Sequence, residues 1–514
     1  MKNANKWNKY VFVAYNKGMK KYFLWVLFIT TCLRLLLAKI VPITGDEAYF
    51  ITWAKHLDYG YYEHPPMIGW IMWLFSFLGQ DIFVYRLFPV LSIPIMAIIF
   101  VKLLVDFDRD KAFLCATTFL LSPVCILNVL SVNDAPLIFF SFLAGIFFYI
   151  GLKRNKLGYA AVAGFLWSCA FLSKYFAVLL AVAVLIFCFA AKNRKIWKFA
   201  GIAALFSLPF VILNIVWNYN HCWTNLTFNL FFRNKNITFN FLSVFVYIIE
   251  QFFLMTPYLA FIFLKRKFLW HECKSNHLEI FWFFFMVPLL FFFCLSFLKD
   301  VGLHWMASFY PFFFIPVILL PSGIINKATR YNVYLVTAIV IPVIVLLCLP
   351  TTVFYRIEKY PQLIMFLKPE KLCNEINNML DNRILAATGY TEASVFSYHC
   401  KKNFVLLGSM SKSGRYYDFI TDFRNFDGRN FLIVSLNKTD IQKFADYFEK
   451  IEVKQINVYG ADFFIILGEH FIYRQYRDIY LSKILKKYYT VPAFLPTRRN
   501  FFAEKYFPEL SFSK

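Results

Sequence analysis

The chain has 514 residues, of which 60% are apolar, 21% aromatic and 16% charged, with a net charge of +24. That balance excludes an ordinary soluble globular protein and points to an integral membrane protein. The basic surplus does not read as a nucleic-acid surface, because Lys and Arg fall in short clusters between apolar runs, where they act as topology signals.

The basic amino-terminal segment runs into an apolar stretch without a small-residue cleavage site, so the first span is expected to stay as an anchor. Windows of about 20 apolar residues, the length that crosses a bilayer as helix, occur at 22–42, 84–105, 112–130, 135–152, 157–173, 175–191, 199–217, 241–264, 279–298, 305–321 and 331–350. The expectation is therefore an α-helical polytopic protein of about eleven spans. Placing the amino terminus in the cytoplasm puts the clusters at 153–156, 192–198, 265–267 and 326–330 on that same side. The opposite, extracytoplasmic side then receives residues 43–70, 131–136, 173–176, 217–240 and 299–305. Residues 1–355 form the expected multi-spanning domain, and the polar, mixed composition of 356–514 predicts a soluble extracytoplasmic α/β domain. In it "NFVLLG", "NFLIVSL" and "ADFFIILG" read as buried strands and "DIQKFADYFEKI" as an amphipathic helix. The eleven cysteines contain no CxxC pair, which argues against a zinc or redox framework. Cys373 and Cys400 would share an oxidising compartment but are expected as free thiols, since nothing in the sequence fixes their separation.

The stretch "ITGDEAYFITWAKHLDYGYYEHPPMIGW" (43–70) places Asp46, Glu47, Asp58 and Glu63 just beyond the first span. Thr44 followed by Glu47 is a capping box, so a helix should start at Gly45 or Asp46 and run to about Leu57. Glu47 then has a structural reading, and Asp46 in the first turn would complement the helix dipole. Tyr49, Phe50, Trp53 and Leu57 recur at helical spacing, which predicts a helix lying along the membrane interface. Pro65 and Pro66 break the chain, and "MIGWIMWLFSFLG" resumes as a second interfacial helix with Glu63 and His64 in the crease.

The Asp-Glu pair after the first span, "GYYEHPP" and "YRLFPVL" together resemble bacterial lipid-linked glycosyltransferases of the GT-C type, families 39 and 83. These include relatives of the protein O-mannosyltransferases and of the aminoarabinose transferase that modifies lipid A. "NDAPLIFFSFLAG", "AFLSKYFAVLL", "WNYNHCW" and "HWMASFYP" follow in the family's order, and "ATGYTEASVFSYHCKKNFVLLG" resembles the start of its carboxy-terminal domain. One departure is His64, where the aminoarabinose transferases usually carry Lys.

The resemblance implies transfer of a sugar from a polyprenyl-phosphate donor to an envelope acceptor, lipid A or another glycoconjugate, at the extracytoplasmic face of the inner membrane. A protein hydroxyl is the alternative acceptor. The leaving phosphate requires cations, and the candidates are Lys174, Arg86, His64 and Arg233. Lys174 interrupts an apolar run with no second charge beside it in sequence, so it reads as a phosphate ligand or a snorkelling side chain. Arg86 is either an interfacial anchor or a phosphate ligand, and Arg233 has a competing reading as a solvated loop charge. Asp46 is the candidate to orient or deprotonate the acceptor, with Glu63 beside it. Glu47, Tyr62, Asp134 and His304 are candidates for substrate contact, Asp134 competing with a cap or pairing role. Glu63 with His221 or His304 is a sparse ligand set for a divalent cation, so no metal site is assigned. A transporter would also explain many spans and intramembrane charges, but no inverted hydropathy symmetry accompanies them. A non-catalytic scaffold would leave the acid groups without a role.

Overall fold

The structure, a computed structural model, describes residues 2–231, 239–265, 269–496 and 500–510. Arg233 lies outside the described residues. The chain forms two compact units: one of Met1–Val41, Leu78–Val211 and Asn236–Leu347, the other of Pro42–Phe77, Ile212–Lys235 and Cys348–Lys514.

The first unit is a helical bundle. Among the described residues six helices are long and apolar enough to cross a membrane: Gly18–Ile40, Ile82–Leu104, Asp134–Arg154, Arg194–Asn220, Glu279–Ser296 and Ser322–Cys348. A seventh candidate, Phe241–Leu254 with Pro257–Lys265, is bent by 101°. The break falls at Thr256, which has a left-handed φ of 66°, and at Pro257, which cannot continue the backbone ladder. The remaining windows are shorter. The window at 112–130 is divided into Arg109–Leu120 and Pro123–Leu127. That at 305–321 is cut by Pro311 and Pro316 into Tyr310–Phe314 and Pro316–Leu319. Apolar composition reveals a run of this kind but not its breaks: Pro311 and Pro316 stand at helix starts, whereas Pro94, Pro209, Pro288 and Pro342 lie inside continuous helices.

Phenylalanines fill the core of this bundle: Phe100 stacks on Phe119 at 5.0 Å and on Phe142 at 5.8 Å. Polar side chains tie the helices where no hydrophobic force distinguishes a neighbour from lipid. Thr256 Oγ1 donates to Asn332 Oδ1 at 2.6 Å, Asn332 Nδ2 to the Thr118 carbonyl at 2.9 Å, and the Thr118 and Thr329 hydroxyls pair at 2.7 Å.

The second unit holds a five-stranded mixed sheet of β1 (Ile384–Ala387), β2 (Val405–Leu406), β3 (Phe431–Ser435), β4 (Phe448–Val458) and β5 (Ala461–Phe471), in the order β2-β1-β3-β5-β4. β1 runs parallel to β2 and β3, and β5 antiparallel to β3 and β4. All five residues of β3 are buried, which matches its continuous apolar run. The expected helix over "DIQKFADYFEKI" is corrected. Lys438–Tyr447 is 3-10 helix and the chain turns to strand at Phe448. There "FEKIEVKQINV" pairs with β5 through a two-residue turn at Tyr459 (φ 52°) and Gly460 (φ 83°). Both turn residues take the positive φ of a tight hairpin turn. Cys373 and Cys400 form a disulfide, with Cα atoms 5.2 Å apart, which corrects the expectation of free thiols. The folded chain supplies the separation that sequence alone leaves open.

Candidate active site

The helix Gly45–Lys55 begins as its sequence predicts. The Thr44 side chain accepts from the Glu47 N–H, and the Glu47 carboxylate accepts from the Thr44 N–H at 3.1 Å. Glu47 is fully buried in this cap. Asp46, one residue earlier, is exposed. The stripe of Tyr49, Phe50 and Trp53 is buried, and it finds protein partners: Tyr49 packs on Tyr390 at 5.1 Å and on Tyr417 at 6.0 Å. Its apolar spacing is therefore satisfied inside the second unit.

After this helix the loop is pinned by its neighbours in the unit. The Trp217 indole donates to Asp58 Oδ1 at 2.9 Å, and Trp70 to the Asp58 carbonyl at 2.8 Å. Asn225 Nδ2 donates to the Tyr61 carbonyl at 2.7 Å and Asn229 Nδ2 to that of Glu63 at 2.8 Å. The "WNYNHCW" segment and the helix after it thus act on the backbone of "YGYYEHPP". Tyr62 is fully buried, against Phe228 at 5.7 Å and Tyr489 at 6.1 Å. His221 stacks on Trp217 at 4.3 Å.

Glu63 is 5% exposed and accepts from three donors. Tyr49 O–H donates to both carboxylate oxygens at 3.2 and 3.0 Å, while the Gly414 and Arg415 N–H groups donate to Oε1 at 2.6 and 3.1 Å. Tyr49 Oη in turn accepts from the Tyr416 N–H at 3.1 Å. Three successive amides are therefore tied to one Glu-Tyr pair. Burial pushes the Glu63 carboxyl up to about 7, against the Tyr49 and backbone donors that favour its anion.

Beside this pair opens a cleft of about 210 Å³, lined by Asp46, Tyr49, Glu63, His64, Tyr390, Lys412 and Ser413, with Phe50, Trp53 and Phe228. It brings together Asp46, Glu63 and His64 from one short stretch of sequence with Lys412 and Ser413 from another. Tyr390, Lys412 and Ser413 were not singled out by sequence reasoning. The available signal was "GSMSKSGR", a Gly- and Ser-rich basic loop directly after a strand.

Gly414 makes this loop possible. It adopts φ +84°, and a Cβ built there would stand 2.2 Å from Tyr390 Cβ. Gly414→Ala is expected to lower the melting temperature well below that of Gly428→Ala, since Gly428 shares a positive φ of 69° but has nothing within 4 Å of its Cβ position. Both variants carry backbone strain of ~1–3 kcal/mol, and only Gly414→Ala adds the clash. Equal melting temperatures would show that the loop yields freely.

Glu63 predicts a pH dependence. The unfolded chain sheds this proton near 4.5 and the folded chain near 7. Between those values the folded state binds more protons, so this group's contribution to stability falls as pH rises, by on the order of 3 kcal/mol. Glu63→Gln is expected to keep the fold and flatten that part of the profile. Thermal unfolding of both proteins from pH 4.5 to 7 measures it, and parallel curves would contradict it.

The other candidates belong to the first unit. Lys174 is 6% exposed and its Nζ lies 2.8 Å from Asp134 Oδ1, while His304 Nε2 lies 3.9 Å from Asp134 Oδ2. Lys174 thus has a charged companion, which sequence does not place beside it, and Asp134 takes the pairing role left open for it. They stand forty residues apart in sequence, beyond any local pattern. Arg86 is fully buried and donates from Nη1 to the Ala38 and Val41 carbonyls at 3.0 and 2.6 Å. It satisfies acceptors at and just beyond the end of the first helix. Among the described residues no group of three or more His, Cys, Asp or Glu side chains is arranged to hold a metal ion.

The helical bundle and the small carboxy-terminal sheet domain have the fold of the solved ArnT structures. Residues 63–217 match the family described as dolichyl-phosphate-mannose-protein mannosyltransferase. The crystal structure of ArnT from Cupriavidus metallidurans bound to undecaprenyl phosphate aligns with a TM-score of 0.63 at 12% identity, covering 87% of this chain and 98% of that one. Its apo state aligns equally well. The lipid A galacturonosyltransferase RgtD of Rhizobium johnstonii is 32% identical over 187 residues, 34% of this chain and 38% of that protein. The match thus covers less than two thirds of that relative's length.

Proposed function

We propose that this protein is a glycosyltransferase of the bacterial inner membrane that moves a sugar from a polyprenyl-phosphate donor to lipid A or a related envelope acceptor. The observation that carries the reading is the cleft in which an exposed carboxylate, Asp46, stands beside His64 and Lys412. Relatives named for action on lipid A and for bound undecaprenyl phosphate support it. An apolar cavity of about 430 Å³ in the first unit, with Trp167, Phe171, Leu185 and Trp197 in its wall, has the chemistry to take part of a prenyl chain.

In this reading the acceptor oxygen bonds to the anomeric carbon as the bond from that carbon to the carrier phosphate breaks, and the electron pair leaves on the phosphate. Asp46 takes the proton when the acceptor is a hydroxyl, and orients the acceptor when it is an ionised phosphate. The phosphate leaves as an anion and is stabilised by cationic groups. Glu63 holds the loop that brings Lys412 and Ser413 to the cleft. The disulfide supports placing residues 356–514 in an oxidising compartment, outside the cytoplasm.

Mass spectrometry of lipid A from cells making the wild-type protein or Asp46→Asn tests the proposal. Lipid A heavier by one sugar with the wild type alone is the expected result. An unchanged lipid A accompanied by newly glycosylated envelope proteins would transfer the reading to the protein-acceptor branch, whose description the family match carries.

A further inference from the structure

We propose that Lys412 is the phosphate-binding cation of the Asp46 cleft, delivered by the loop that Glu63 and Tyr49 hold. The inference rests on the function proposed above. Asp46 lines the cleft as an exposed carboxylate, and a lipid-linked phosphate brought beside it needs an opposing charge. His64 stands where relatives of the resemblance usually carry Lys. Two of the cations recognised from sequence have other partners: Arg86 has the carbonyls of Ala38 and Val41, and Lys174 has Asp134.

Among the described residues lining this cleft, Lys412 is the only Lys or Arg. Its side chain is exposed. A Lys ammonium is a compact point charge on a flexible stem, suited to a tetrahedral phosphate that shifts as the sugar departs. Its placement is not left to a loose loop. The amides of Gly414, Arg415 and Tyr416 are bonded to the Glu63-Tyr49 pair, which fixes the backbone two residues beyond Lys412. Glu63 is thereby a positioning residue for Lys412.

The phosphate could be the carrier's or one borne by the acceptor, and the test separates them. Full-length protein in nanodiscs is titrated with undecaprenyl phosphate, and transfer is measured with lipid A bearing or lacking its phosphates. If the carrier phosphate is the ligand, Lys412→Met weakens undecaprenyl phosphate binding about tenfold or more, and Lys412→Arg restores most of it. If the acceptor phosphate is the ligand, carrier affinity holds and KM rises about tenfold for phosphorylated lipid A alone. Unchanged carrier affinity together with unchanged KM values would overturn the assignment. A wild-type protein that neither binds the carrier nor transfers sugar would overturn the proposed function itself, and the Lys412 assignment with it.

Discussion

Asp46→Asn is expected to lower the rate of transfer to a hydroxyl acceptor by about 10²–10⁴, the range associated with a positioned general base, while donor affinity stays within twofold of wild type, roughly the scatter of ~0.4 kcal/mol. The amide preserves shape and removes the proton acceptor. Glu47→Gln, one residue away, is the internal control. Glu47 is buried in its capping box with Thr44, at 3.1 Å from both the amide and the hydroxyl. Its loss should therefore appear as about 1 kcal/mol of stability, with turnover retained. Single-turnover kinetics with saturating donor separates the two. If Asp46→Asn turns over normally and Glu47→Gln does not, the assignment within the pair is reversed.

Lys174→Met is expected to destabilise the fold by up to ~3–5 kcal/mol, because it takes the 2.8 Å partner from a largely desolvated Asp134 and leaves the His304 imidazole at 3.9 Å beside it. The two side chains are only 8% and 15% exposed, so little solvent screening relieves the loss. Replacing both partners, Lys174→Met with Asp134→Leu, should restore most of the stability, since a buried ion pair returns little more than its desolvation cost. Unfolding in detergent measures the three proteins. A single variant as stable as wild type that binds the polyprenyl-phosphate donor poorly would instead make Lys174 a phosphate ligand.

What the sequence made legible was local. Thr44 and Glu47 sit three residues apart, so their reciprocal cap could be read directly, and it is present. The long spans were legible because apolar runs need no partner to be recognised. The helix Gly45–Lys55 was also readable, but its apolar stripe gave no indication of Tyr390 and Tyr417 as its partners. Distance in sequence hid the rest. Lys174, in the turn after Leu157–Phe171, meets Asp134 at the start of Asp134–Arg154, and Gly414 reaches Glu63 across 351 residues. Lys412 looked like one basic residue among the chain's 54. "DIQKFADYFEKI" carries a helical apolar period, but its last four residues, Phe448 to Ile451, open strand β4 and are claimed by pairing with β5.

The most direct test of the central claim is sugar transfer by the purified full-length protein, given a panel of polyprenyl-phosphate sugars and lipid A in bilayers, with Asp46→Asn in parallel. The account predicts that one donor yields glycosylated lipid A and stoichiometric polyprenyl phosphate with the wild type, and about 10²-fold less or below with the variant. Equal product from both proteins, or consumption of a nucleotide sugar in place of every lipid-linked donor, would contradict it.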